Sequence, residues 1–191
     1  MTTDYTALTL SAVPSELGAI AREVEADFGA LDGAQLNWRS DDASWSVAQC
    51  FDHLLNANRE MWQAIDSALD RERAPSLAQR LPLLPGLFGR VLIRSQMPES
   101  TRRFTAPRAA APSARAIDAR VVERFIASQR EAATRVASLG AEDAARIMVS
   151  PFVALIAYSV LDGVRLIVAH ERRHVEQARR VTRQAAFPGR S

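Results

Sequence analysis

Apolar residues recur along this chain at the three- and four-residue spacing of an amphipathic helix, and four long segments carry that pattern. The first opens at Pro14, whose missing N–H costs nothing in a first helical turn, and runs through Leu17, Ile20, Val24 and Phe28 to about Leu31. Asp32-Gly33 ends it. The second begins near Trp45 or Ser46, places Val47, Cys50, Leu54, Met61 and Ile65 on one stripe, and continues to about Asp70. A third spans about Ala114 to Leu139 on Ile117, Val121, Phe125, Ala132 and Val136, and stops at Gly140. The fourth is predicted to start at Ser150-Pro151, a capping residue followed by a first-turn proline, and to extend to about Ala185 before Phe187-Pro188-Gly189. Residues 1 to 12 read as a loose polar segment, and no strand, internal repeat or Gly-rich phosphate loop stands out.

Between the second and third helices, residues 74 to 112 change character. Pro75, Pro82, Pro85, Pro98, Pro107 and Pro112 interrupt any continuous helix. Leu81, Leu83, Leu84, Leu87, Phe88, Val91, Leu92 and Ile93 are nevertheless too apolar for a solvated linker, so this part is expected to fold back on the rest, with a short helix near Gly86 to Gln96. A long ordered connection serves as a lid or binding loop, or simply covers a groove. The pattern therefore predicts an all-α fold: an antiparallel four-helix bundle with a long Pro-rich crossover insertion between helices 2 and 3. With 191 residues and 48% hydrophobic content, one domain over 1–191 suffices to build a sizeable core.

Charge narrows the function. Every basic side chain is an arginine, because the sequence has no lysine, which excludes Schiff-base chemistry and a P-loop lysine. The net charge is only +2, and the arginines alternate with Asp and Glu, as in Arg71-Glu72-Arg73, so the basic stripe of a nucleic-acid binder is missing. Cys50 is the sole cysteine, which leaves no intramolecular disulfide and no Cys-rich zinc site. The longest apolar run, Pro151 to Ala157, is too short to span a bilayer, and a cytoplasmic protein without membrane or nucleic-acid partners is the expectation.

The candidate chemistry lies in His170-Glu171-Arg172-Arg173-His174. Four apart on a helix, the two histidines bring their Cβ atoms to roughly 5–6 Å on one face. At about 100° per residue that face also carries Phe152, Ile156, Gly163, Leu166, Ile167 and Val181, whereas Val164 and Val168 fall elsewhere. Two imidazoles in an apolar setting repel if charged, and a shared cation resolves both problems. The third histidine, His53, stands at a border of the second helix's buried stripe, beside Cys50, Ala57 and Ala64. Either it is a hydrogen-bonded histidine at the edge of the core, or it completes a three-nitrogen set that leaves a fourth position open to water or substrate. His170 to His174 also satisfies H-E-x-x-H, the zinc-protease motif in which the glutamate is the general base. Such proteases take a third ligand downstream, and no His, Asp or Glu follows Glu176. Glu171 is thus either a base or supporting group, or an exposed partner of an arginine. Trp38, Trp45 and Trp62 read as core or cap aromatics, Gln177 as a group able to orient His174, and Cys50 as a small buried side chain.

Trp45-Ser46-Val47-Ala48-Gln49-Cys50-Phe51-Asp52-His53-Leu54 resembles the W-S-x-x-Q-x-x-x-H-L segment of the DinB/YfiT-like metalloenzyme family. Pro151-Phe152, Tyr158-Ser159 and His170 through Ala178 resemble that family's last helix, so the likeness covers most of the chain. It implies a four-helix bundle in which His53, His170 and His174 bind a divalent metal ion, zinc or nickel, and it implies a homodimer. It further implies a small-molecule substrate and a low-molecular-weight thiol such as bacillithiol, mycothiol or glutathione, in a metal-dependent S-transferase or hydrolase. The alternative is a stress-related protein that binds a metal or small ligand without turnover.

Overall fold

The computed structural model describes residues 3–70, 85–98, 107–153 and 155–189. Among these the chain is mostly helical. Two short 3-10 turns, Tyr5–Ala7 and Leu10–Ala12, precede α1 (Val13–Phe28), α2 (Gly33–Asn37), α3 (Val47–Leu69), α4 (Pro85–Ser95), α5 (Val121–Ala137) and α6 (Ala141–Ala145). A small antiparallel hairpin follows, β1 (Ile147–Val149) with β2 (Ala157–Ser159), in which Met148 faces Tyr158, and α7 (Val160–Thr182) closes the order. No described helix is long and apolar enough to cross a membrane.

The start of α3 is written in four residues. Ser46 Oγ accepts from the Gln49 N–H and Gln49 Oε1 accepts from the Ser46 N–H, both at 3.1 Å, which satisfies two otherwise orphaned donors. α1 packs against α5 and α7, and α3 packs against the same two helices. Their shared core holds Phe51 in edge and tilted contact with Phe28 at 5.2 Å and Phe125 at 5.1 Å. Each such ring, fully buried, contributes roughly 1.5–3 kcal/mol. Outside the core, Arg172 bridges Glu16 and Glu23 while Arg179 bridges Glu23 and Asp27, tying α7 to α1.

The Pro-rich connection folds back in part where it is described, since Leu87 and Val91 are exposed. α4 lies against α7 and β2, and Ile93 is fully buried. A side chain at Gly89 would overlap the Asp162 carboxylate in the first turn of α7, so only glycine permits this approach. Leu81, Leu83 and Leu84 lie outside the described residues.

Several expectations need correction. The last helix begins at Val160, not Ser150, because Ser159 supplies its cap by accepting from the Asp162 N–H at 3.0 Å. Ser150 instead turns the chain locally, its Oγ accepting from the N–H groups of Phe152 and Val153. Phe152 and Ile156 are therefore not on the helix, and the expectation of no strand fails at the hairpin. Residues 114–120 precede α5, which starts only at Val121, although Ile117 is buried as expected. Asp32 does not simply end the first helix; it caps α2 through a capping box with Gln35. Tyr5 is buried, so the N-terminal segment is docked. Val164 and Val168, placed off the apolar face by the wheel, are completely buried, because α7 packs against α1, α3 and α4 and has more than one inward side.

Candidate metal centre

His53 from α3 meets His170 and His174 from α7. One ring nitrogen of each lies within 4.8 Å of the others, and the ring centroids are 4.5 to 4.9 Å apart. His53 is not at a border, as the helical wheel suggested, but buried, as is His174; His170 is half-buried. The second and last helices cross where their polar positions face each other, and the wheel of one helix cannot show that.

The proton positions follow from one contact. His53 Nδ1 lies 2.6 Å from the carbonyl oxygen of Ala110, and since a carbonyl only accepts, Nδ1 carries the hydrogen. Neutral His53 then presents a lone pair at Nε2, which is 3.1 Å from Nε2 of His170. Two lone pairs at that distance need a proton or a cation to share. Tetrahedral nitrogen ligands about 2.0–2.1 Å from a zinc-sized ion stand about 3.3–3.4 Å from one another. The His53–His170 pair is near that figure, and all three ring nitrogens lie within 4.8 Å of one another.

Electrostatics favours the same occupant. Burial lowers the pKa of His53, against the opposing pull of the Ala110 bond and the Asp52 carboxylate. Burial, together with His53 and Arg173, pushes His170 down to about 3, and burial together with its two partner rings pushes His174 well below its ordinary value. All three rings are thus held neutral, the form that ligates a cation. His174 Nδ1 is buried with no hydrogen-bond partner; Gln177 is near enough to favour the charged ring, but no bond of normal geometry joins them. A fixed His53 tautomer and three converging neutral imidazoles fit a divalent cation.

Trp45 forms one wall. Its ring lies 4.8 Å from that of His53 and stacks on His174 at 5.8 Å and 26°. Its place immediately before the cap residue Ser46 was the available signal. Cys50 stays away from the cluster as a buried side chain whose thiol burial pushes up to about 12.

Glu171 overturns the picture of a surface partner for an arginine. It is completely buried, and its Oε1 accepts from Asn58 Nδ2 of α3 at 2.7 Å and from Gln129 Nε2 of α5 at 2.9 Å. Burial raises its pKa to about 7 despite these two bonds. The carboxylate is not among the converging ligands, and its Oε1 is held by Asn58 and Gln129. Asn58 and Gln129 were missed, yet each occupies a position on its helix's apolar stripe, between Leu54 and Met61 and between Phe125 and Ala132.

A mainly helical chain whose second and last long helices bring three histidines together is the class defined by these observations. The chain belongs to the DinB superfamily, whose family model matches residues 17–178, from α1 to α7. No curated protein and no solved structure matches it.

Proposed function

We propose that His53, His170 and His174 hold one divalent ion, zinc or nickel, in a four-helix bundle formed by α1, α3, α5 and α7, and that the chain is a metal-dependent S-transferase or hydrolase acting on a small electrophile. The observation that carries this reading is the convergence of three neutral ring nitrogens within 4.8 Å, all from buried or half-buried histidines. Three protein nitrogens leave a fourth position open. A divalent ion there would supply a Lewis-acidic centre that lowers the pKa of a thiol or water. The protein's own part is to orient the rings and shield them. His53 is fixed by the Ala110 carbonyl, and Trp45 covers one side of His53 and His174 against water. The dimer implied by the family likeness belongs to the same reading.

A second reading, a binding protein without turnover, is favoured by Glu171, because its Oε1 is engaged by Asn58 and Gln129, which ties this carboxyl into the packing of the helices. One experiment separates the two. Metal-loaded protein is incubated with glutathione, mycothiol or bacillithiol and a panel of electrophiles. A rate abolished by His53→Ala supports the enzyme, whereas silence across the panel in protein that retains its metal supports the binding protein.

A further inference from the structure

The last residues of the Pro-rich connection run along the first half of α3. Gln49, Asp52, His53 and Asn56 occupy one face at the i, i+3, i+4, i+7 spacing of a helix. Each is bonded to the backbone of residues 110–114. Gln49 Nε2 donates to the Ala114 carbonyl at 3.1 Å, the Ser113 N–H donates to Asp52 Oδ2 at 2.6 Å, His53 Nδ1 donates to the Ala110 carbonyl at 2.6 Å, and Asn56 Nδ2 donates to the Ala111 carbonyl at 3.2 Å. Asn56 Nδ2 also reaches Asp52 Oδ2 at 3.3 Å. The segment is shaped before it arrives, since the N–H groups of Ala110 and Ala111 both donate to the Pro107 carbonyl at 2.9 Å.

We infer that residues 110–114 are a backbone strap which sets the tautomer and direction of His53, and that Asp52 and Asn56 are positioning residues for metal binding although neither joins the ligand set. Asp52 is buried and holds the only N–H with which residues 112 and 113 can grip it, because Pro112 has none. Without that grip the Ala110 carbonyl is no longer held against Nδ1. His53 then gains access to the other tautomer, with its hydrogen on Nε2, where it faces His170 and cannot ligate. A partner that fixes a ligating imidazole is worth about 10- to 100-fold in metal affinity. Asp52→Asn keeps an acceptor for the Ser113 N–H and should restore binding; Asp52→Ala should not.

The inference rests on the three-histidine reading, so the test has two arms on the full-length protein. The first follows the His53 ring nitrogens by 15N NMR at neutral pH without metal. Wild type should show hydrogen on Nδ1, Asp52→Ala and Asn56→Ala a mixture of tautomers, and Asp52→Asn the wild-type state. The second titrates Zn2+ against a competing chelator. Asp52→Ala should bind at least about 10-fold more weakly than wild type, with Asp52→Asn close to wild type. Should Asp52→Ala fail to fold, Asn56→Ala carries both comparisons. Wild type that binds no Zn2+ sinks the metal reading, while the tautomer arm still decides the strap. An unchanged tautomer and unchanged Zn2+ affinity in Asp52→Ala and Asn56→Ala overturn the strap and leave the metal reading standing.

Discussion

Nε2 of His53 and Nε2 of His170 face each other at 3.1 Å, brought together from positions 117 residues apart in the chain. With Nδ1 of His53 committed to the Ala110 carbonyl, this pair has at most one hydrogen between two neutral rings. Protonating either ring puts charge into a packed interior. In the unfolded chain the same rings take up protons around the ordinary value of about 6.5. Folded imidazoles whose pKa is depressed contribute stability that is present above that value and is lost as pH falls below it. The melting temperature of metal-free protein should therefore fall on acidification below about pH 6.5, and substituting His170 and His174 by Gln should flatten that fall. Melting curves between pH 4 and 7.5 in the presence of a chelator check it; a wild-type profile as flat as the double variant's contradicts it.

Glu171 acts in the opposite direction. Its pKa is raised from 4.5 to about 7, so the folded state holds a proton that the unfolded chain releases, and stability is lost as pH rises through that window. A glutamine at 171 imitates the protonated acid: it still accepts from Asn58 and Gln129 and offers an N–H that can satisfy the orphaned Gln129 Oε1. Glu171→Gln should raise the melting temperature at pH 8, leave it nearly unchanged at pH 4, and leave the metal bound. A loss of stability at pH 8 would contradict this account of the buried carboxyl.

Arg172 and Arg179 share Glu23, with Glu16 and Asp27 at the outer ends. These are part-exposed pairs, and each arginine truncated to alanine should cost about 1 kcal/mol, less at high salt. Because both act on one carboxylate, the double variant should lose less or more than the sum of the singles. Urea unfolding of the four proteins of this cycle measures the coupling, and strict additivity would show that Glu23 does not link them.

The fold was legible where the signal is local and unique. Ser46 and Gln49 spell a capping box, and α3 starts there. At the last helix two serines competed for the same role. Ser150-Pro151 has the stronger local signature, but pairing of β1 with β2 and burial of Tyr158 decide for Ser159, and neither is visible from a ten-residue window. The histidine site was legible as spacing and family likeness, whereas the depth of His53 depends on which helix crosses α3. Glu171 shows the same limit. It lies on the stripe of Val164, Val168 and Val175, and with polar Asn58 and Gln129 on the stripes of α3 and α5 it forms a buried network. Those three polar interruptions were the signal, and only packing shows that they meet.

The most direct test of the three-histidine centre is metal content at pH 7.5 together with melting temperature, for protein purified without a His-tag. Wild type should hold about one divalent ion per chain, the occupancy a three-histidine site allows. His53→Ala, His170→Ala and His174→Ala should each lose the ion, and the melting temperature should drop to that of chelator-treated wild type or lower. A His53→Ala protein that keeps full occupancy and an unchanged melting temperature, while the other two variants lose both, would contradict the site.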